Sequence, residues 1–161
     1  MMKSNYHTHT YRCGHAVGTE KEMVEAAIKS NIQELGFSEH VPLPKYRKHL
    51  LYSLLHIRSI KSLLTLFKAF ITDGLNMRMP YKYLDDYLQQ LSICQNEYKE
   101  QISIYRGFEA EGFEEYFDYY QSLLDTNRID YLILGHHFDK YCIHNKYFGR
   151  NKMGKKDIYQ Y

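Results

Sequence analysis

Three histidines stand close together near the start of the chain, in the segment NYHTHTYRCGHA at residues 5–16. They are His7, His9 and His15. Alternate residues of a strand point to the same side of it, so His7 and His9 can present two imidazoles to one cation. A His-x-His pair alone is weak evidence, because surface histidines also arise at this spacing by chance. The segment therefore predicts a metal site only if further ligands lie nearby.

Further candidate ligands follow other predicted strands. These candidates are His40, Glu109 and His137. They lie just after or near the ends of the segments 32–38, 102–111 and 130–138, which read as strands. The carboxyl ends of strands are where α/β barrels place their active sites. Each residue alone is compatible with ordinary capping or hydrogen bonding. At four strand ends together, they favour a metal centre.

The elements that must position these residues alternate between strand and helix. Thr19 and Glu22 form a capping-box pattern that begins a helix running to about Ser30. The predicted strands are 3–9, 32–38, 102–111 and 130–138, and the later predicted helices are 81–100 and 114–125. This alternation predicts an α/β fold with a parallel sheet, whose strand ends meet at one edge.

Residues 45–72 form a different region, rich in leucine. A polar stripe at i, i+3, i+4 spacing predicts an amphipathic helix; its members are Arg58, Lys61, Thr65, Lys68 and Thr72. Asp73 and Gly74 end the pattern. Such a helix could lie on a membrane surface, but packing against the domain is favoured. We expect it to cover the mouth or flank of a barrel and to shape the substrate environment.

The composition is that of an ordinary globular chain. Its 161 residues suggest one domain, and its net charge of +2 argues against a nucleic-acid groove. Basic residues interrupt the most apolar segment, residues 50–72, and the N-terminus lacks an apolar run. Neither a membrane span nor a secretory signal is therefore expected. The 3 scattered cysteines favour a reducing cytoplasm over a disulfide framework.

The order of the motifs resembles the PHP (polymerase and histidinol phosphatase) family of phosphoesterases, and most closely its histidinol-phosphatase members. The motifs are HTHT at 7–10, CGHA at 13–16, GFSEH at 36–40, GFE at 107–109 and LILGHHF at 132–138. The resemblance covers residues 4–161 and is weakest in the helical insert, at about 45–76. It implies a distorted (β/α)7, TIM-like barrel. Residues 1–161 would form its N-terminal part, with about four strands.

The same resemblance implies a centre of up to three divalent metals, of Zn, Mn or Fe. His7 and His9 match the histidine pair on the first metal, and Glu109 matches the carboxylate that bridges the first and second metals. His137 matches the histidine of the second metal. His15 and His40 match the histidine pair on the third metal. Clustered cations acidify a bound water and neutralise a phosphate monoester. No residue looks like a covalent nucleophile with a base beside it, so a metal-bound hydroxide is the expected attacking group.

The resemblance also suggests residues that would contact the substrate or lie beside the metal ligands. Arg78 and Arg12 are candidates to bind the substrate phosphate, and for Arg78 a structural salt bridge is an equal alternative. The residues expected beside the ligands are Glu111, Thr8 and Thr10. His136 is not expected to be a ligand, because the family commonly has other residue types at that position.

The implied activity is hydrolysis of L-histidinol phosphate to L-histidinol and phosphate, a step of histidine biosynthesis. Two further motifs of the family, an Ala-His-Pro histidine and a late Asp-x-His pair, are not found after His137, and His144 lacks the strand context. We therefore expect each metal to lack one protein ligand, and the 161-residue chain to have little or no phosphatase activity. Four strands should also leave an open sheet edge, which water or a second copy must meet.

Two alternatives to this activity remain open. The chain could be a non-catalytic remnant that binds metal or serves as a folded module, or its site could act on another phosphoester, such as a nucleic-acid end. The small net charge counts against the second alternative. The expected partners are thus a small phosphomonoester and, through the open edge, a second copy of the chain, with no nucleic acid and no membrane.

Overall fold

A computed structural model describes residues 3–44, 52–55, 57–71, 78–135 and 137–138 of the chain. These residues contain a parallel sheet whose strands are hydrogen-bonded in chain order. The strands are β1 (Ser4–Thr8), β2 (Glu34–His40), β3 (Ser103–Ala110) and β4 (Tyr131–Leu134). The sheet and its helices form a curled half-barrel, which confirms the predicted α/β fold with about four strands.

The register of the sheet brings the strand ends to one edge. β2 and β3 pair without a shift, from Glu34 opposite Ser103 to His40 opposite Glu109. In the next pair of strands, Glu109 lies opposite Ile133. Because parallel strands run in the same direction, the residues that follow β1, β2 and β4 emerge beside the carboxyl end of β3. The sheet itself therefore gathers the predicted ligands.

The longer α-helices are α1 (Glu20–Lys29), α2 (Ile60–Ile71), α3 (Leu84–Tyr98) and α4 (Phe117–Asp125). The predicted capping box at the start of α1 is confirmed, because the side chains of Thr19 and Glu22 each accept the other residue's backbone N–H. Both α3 and α4 follow a short 3-10 turn, at Tyr81–Tyr83 and Glu114–Tyr116. The predicted helices 81–100 and 114–125 are therefore shorter as α-helix than expected.

The hydrophobic core lies between one face of the sheet and the helices α1, α3 and α4. Its fully buried side chains include Val24, Phe37, Tyr87, Leu91, Phe108 and Leu123. A fully buried large apolar side chain contributes about 1.5–3 kcal/mol. This packing fixes the strands from behind and holds their carboxyl ends in place.

A tyrosine crosses the other face of the sheet. The ring of Tyr131 lies against Gly36 and Gly107, where an added Cβ would come within 2.4 and 2.5 Å of Tyr131 atoms. Its hydroxyl donates to the backbone carbonyl of Tyr6 at 2.8 Å and so links β4 to β1. The two glycines are needed here for this close approach rather than for a turn.

The α2 region differs from the rest of the fold. Among the described side chains of α2 only Leu66 is buried, while Ile60 is 79% exposed and Phe67 is 64% exposed. Most of the described apolar side chains of this helix are thus exposed. The helical prediction is confirmed for 60–71, and the packing of an apolar face on the domain stays a prediction. The remaining parts of the predicted insert, 45–51, 56 and 72–76, lie outside them. None of the helices in the described ranges has the length and apolar character needed to span a bilayer.

Candidate metal centre

The sheet edge places one carboxylate among four imidazoles. Glu109, near the end of β3, is 6% exposed. Its Oε2 atom lies 3.4 Å from His7 Nε2, 3.3 Å from His9 Nε2 and 3.5 Å from His40 Nδ1. Its Oε1 atom lies 3.5 Å from His137 Nε2. The two oxygens thus face different histidines, which is the arrangement required of a carboxylate shared between two cations.

His7 and His9 form the pair that the His-x-His spacing predicts. Their Nε2 atoms are 3.1 Å apart, and both face Glu109. Ligand atoms bound to one zinc ion at about 2.0–2.2 Å lie roughly 3–4 Å apart. The three side chains therefore already have the spacing of a coordination sphere. Their ligand atoms form one of the clusters in the described residues that could hold an ion.

A second carboxylate supports the histidine that follows β4. Glu111 is buried and accepts the backbone N–H of His137, its ring Nδ1–H at 2.9 Å, and the backbone N–H of Phe138 at 3.2 Å. When Nδ1 of His137 carries the proton, the lone pair of the ring is on Nε2, and that atom faces Glu109. Ligand atoms of His40, Glu111 and His137 lie within 4.8 Å of one another. Glu111 can therefore orient His137 or bind an ion itself.

His15 and His40 meet beside the same cluster. Their ring centroids are 5.2 Å apart, and one ligand atom from each lies within 4.8 Å of a ligand atom of His9. His40 ends β2, whereas His15 follows a 3-10 turn that closes at Gly14, with a φ of 72°. Glycine adopts this left-handed conformation without strain. The loop thus turns His15 back towards the sheet edge.

Arg78 and Arg12, the two predicted phosphate-binding residues, occupy different environments. Arg78 Nη1 donates to His15 Nδ1 at 2.8 Å, which places a cation directly beside the histidines. Its φ of 78° is a left-handed conformation that is strained for a residue other than glycine, and such strain is concentrated at functional sites. The guanidinium of Arg12 is instead buried in ion pairs with Glu20 and Asp86. Its position favours a structural role, tying the loop after β1 to α1 and α3.

Burial keeps two of the histidines in the neutral form that binds metals. Desolvation lowers the pKa of His40 to about 2, and the nearby charge of Arg78 acts in the same direction. Desolvation also lowers the pKa of His15. Neutral imidazole and carboxylate are the donors that Zn, Mn and Fe share in proteins. The chemistry of the donor set therefore fits divalent cations. His136 and His144 lie outside the described residues.

Glu39 is a site residue that the sequence reasoning missed. It is fully buried, and its Oε1 atom accepts the backbone N–H and the hydroxyl of Thr10, the latter at 2.7 Å. Together with His9 and Cys13 it forms a further group with ligand atoms within 4.8 Å of one another. The sequence feature that could have identified Glu39 is its position in GFSEH, next to His40 at the end of a buried strand. The predicted strand, 32–38, ends one residue before Glu39, and no role was predicted for this side chain.

Comparison with known proteins agrees with the motif order. The model of the PHP domain family matches residues 5–161. The chain is 25% identical over 135 residues to the "Probable histidinol-phosphatase" of Deinococcus radiodurans, and 28% identical over 144 residues to the "Histidinol-phosphatase" of Bacillus subtilis (strain 168). These matches cover 82% and 86% of this chain but 41% and 45% of the relatives. The chain thus spans less than half of their length.

A solved structure agrees with the fold. The crystal structure of a candidate histidinol phosphatase from Listeria monocytogenes is similar, with a TM-score of 0.57 and 26% sequence identity. The similarity covers 84% of this chain and 45% of that chain. The half-barrel therefore corresponds to part of a PHP barrel, and the family model accounts for nearly the whole sequence. The chain belongs to the PHP domain family.

Proposed function

We propose that this chain forms part of a divalent-metal-dependent phosphoric monoester hydrolase that acts on L-histidinol phosphate in histidine biosynthesis. The observation that carries the proposal is Glu109, whose two oxygens face different histidines at 3.3–3.5 Å. A shared carboxylate would hold two cations close together, as in enzymes that hydrolyse phosphoesters with a two-metal site. The substrate is inferred from the names of the relatives in Bacillus and Deinococcus.

The residues would hold up to three cations in overlapping groups. The proposed first group is His7, His9 and Glu109; the second is Glu109 with His137; and the third is His15 with His40. His40 also lies near Glu111 and His137, so the second and third groups share a boundary. Zn, Mn and Fe all suit these donors, and the donor set does not choose among them.

Each residue has a definite task in this proposal. Bound cations would neutralise the phosphate and acidify a water molecule. Glu109 would bind through both of its oxygens, while Glu111 would keep the Nε2 lone pair of His137 directed at the cluster. The buried side chain of His40 stays neutral and available as a ligand.

Arg78 is the residue proposed to bind the substrate phosphate. Its guanidinium lies beside His15, and guanidinium groups bind phosphate oxygens through paired, charge-assisted hydrogen bonds. Its φ of 78° is a strained left-handed conformation, of the kind that is concentrated at functional sites.

Two partner and compartment proposals accompany the activity. β1 and β4 are the outer strands of the described sheet, and an unpaired strand edge can pair with a second copy of the chain. Cys13 and Cys94 are buried free thiols, which fits a reducing cytoplasm. Both remain proposals that size measurements and fractionation can test.

The competing functions make different demands on the site. A non-catalytic remnant needs only metal binding. The chain matches 41% and 45% of its two relatives, so this alternative stays open. An enzyme for nucleic-acid ends needs a basic path for the backbone, whereas the net charge is +2. Hydrolysis of a small phosphomonoester requires neither an extended groove nor more charge.

The test is a phosphatase assay of the purified 161-residue chain with added Mn²⁺ or Zn²⁺. The substrates are histidinol phosphate, a generic aryl phosphate and a 3′-phosphorylated oligonucleotide, and the Bacillus subtilis relative is the positive control. We expect slow, metal-dependent turnover that favours histidinol phosphate, disappears in His7→Ala and persists in Glu97→Gln. Turnover that needs no added metal, or that persists in His7→Ala, would contradict the proposal, and preference for the oligonucleotide would favour the other phosphoesterase.

A further inference from the structure

Two buried atoms of the site face each other without a hydrogen-bond partner. One is Nδ1 of His9, and the other is Oε2 of the fully buried Glu39. They lie 3.7 Å apart, a few tenths of an ångström beyond hydrogen-bond distance. A buried polar atom without a partner is costly, so a pair of such atoms at this distance indicates a contact that the site uses.

The opposite side of the His9 ring explains what this contact does. Its Nε2 atom points at Glu109, 3.3 Å away, and at His7. A neutral imidazole has one N–H and one lone pair, so Nε2 can bind a cation only when Nδ1 carries the proton. That proton needs a buried acceptor, and Glu39 Oε2 is the acceptor in reach.

We propose that Glu39 is a positioning residue that holds His9 in the Nδ1–H tautomer and thereby presents Nε2 to the cation. This inference rests on the proposed function, because it takes His9 to be a ligand. Glu111 and His137 have the same arrangement on the other side of the cluster, with the Nδ1–H to carboxylate distance already at 2.9 Å. In each case a carboxylate would accept the Nδ1–H of the histidine and so fix its ring, as is common for histidines that bind metals in proteins.

The bonding around Glu39 explains why a carboxylate is required at this position. Thr10 supplies two donors to Oε1, its backbone N–H and its hydroxyl. His9 would supply a third donor to Oε2. Only an ionised carboxylate accepts on both sides, because an amide presents one oxygen and one NH₂ group. Glutamine can therefore satisfy Thr10 or His9, but not both.

The experiment compares Glu39→Gln with Glu34→Gln in the 161-residue chain. Glu34 lies on the same strand and accepts the Tyr6 hydroxyl at 2.7 Å, so it is a matched control away from the cluster. The ¹⁵N shifts of the His9 ring report its tautomer at pH 8 in the metal-free protein, and titration with Zn²⁺ reports affinity. A third variant, Glu39→Asp, tests whether a shorter carboxylate restores the tautomer and the Zn²⁺ affinity.

We expect Glu39→Gln to lose the Nδ1–H tautomer and to bind Zn²⁺ about 10–100-fold more weakly, the usual effect of removing such a support. Glu34→Gln should leave both readouts unchanged, and Glu39→Asp should recover part of each. If Glu39 only anchors Thr10, glutamine keeps that bond, and an unchanged tautomer with unchanged affinity would overturn the proposal.

The design separates this inference from the metal centre itself. The tautomer is read without metal, so it reports the contact between Glu39 and His9 directly. Loss of the tautomer in Glu39→Gln, together with His7→Ala binding Zn²⁺ as the unmodified chain does, would support the contact but reject the metal centre. If Glu39→Gln does not fold, Thr10→Val provides a second variant. It removes one bond to Oε1 and should weaken Zn²⁺ binding less than Glu39→Asp does; an effect on stability alone would count against the proposal.

Discussion

The sheet edge and α2 were both conspicuous in the sequence, but they differ in how far their described side chains are buried. At the edge, Glu109 meets the histidines that follow other strands, and its side chain is 6% exposed. In α2, an equally regular pattern leaves Phe67 64% exposed. Ligand residues at the ends of several parallel strands predict where those residues meet, because parallel strands bring their carboxyl ends to one edge of the sheet. An amphipathic helix predicts only that one face can be covered.

The two regions also differ in how they are supported. The strands are held by a core in which Phe37 and Phe108 are completely buried. The described part of α2 contributes Leu66 to the buried residues and little else. The fold should therefore depend strongly on the strands and weakly on α2. Substitutions of the same type in the two regions test this difference.

The largest expected effect is on stability, in a pair of phenylalanine truncations. Phe108→Ala should lower the free energy of unfolding by about 3–5 kcal/mol, because it leaves a cavity in a packed core. Phe67→Ala removes the same atoms from an exposed position and should change it by less than about 0.5 kcal/mol. Denaturant unfolding followed by circular dichroism measures both. A large loss in Phe67→Ala would mean that α2 is packed after all.

The next effect tests whether Arg78, which follows the insert, acts at the sheet edge. Arg78→Ala should weaken the binding of inorganic phosphate to the zinc-loaded chain by about tenfold, equivalent to about 1.4 kcal/mol. Arg128→Ala, which removes an exposed arginine paired with Asp85, is the control and should have no effect. Calorimetry measures the binding. Equal phosphate affinity in the two variants would leave Arg78 with a structural role.

A smaller effect is expected from helix caps, and it sharpens the comparison. The hydroxyls of Thr19 and Ser59 accept backbone N–H groups at the starts of α1 and α2, at 3.3 and 3.1 Å. Thr19→Ala should destabilise the protein by about 1 kcal/mol. Ser59→Ala should fray the start of α2 but lower the free energy of unfolding of the whole protein by less than about 0.5 kcal/mol. The reason is that Leu66 is the one buried side chain among those described in α2. Hydrogen exchange, read together with global unfolding, separates local fraying from loss of the fold.

Much of the fold followed from sequence patterns because those patterns were local. The capping box at Thr19 and Glu22 is formed by neighbours in the chain, and it appears as predicted. Three of the four predicted strands agree with the structure to within 2 residues at each end, whereas β4, at Tyr131–Leu134, is shorter than the predicted 130–138. The apolar face of α2 depends on distant parts of the chain, which no local pattern describes. Its packing could not be predicted.

The site followed a similar division. Positions that a strand end fixes, such as His40 and Glu109, could be placed by topology and motif order. Glu39 could not, because a carboxylate in a strand is a sign of exposure in most sequences, and only the fold reveals that it is buried. Arg12 is the opposite case. The family resemblance made it a candidate for the substrate phosphate, whereas the structure pairs it with Glu20, 8 residues along the chain, and with the distant Asp86.

The most direct test of the account is a Zn²⁺ titration of the 161-residue chain and its Glu109→Gln variant. Glu109 is the proposed shared carboxylate, so its loss should weaken Zn²⁺ binding on the order of 100-fold or more, at least the effect of losing a supporting residue. Glu97→Gln, a change to an exposed carboxylate paired with Lys21, should bind as the unmodified chain does. Equal Zn²⁺ affinity in all three proteins would contradict a metal centre built on Glu109.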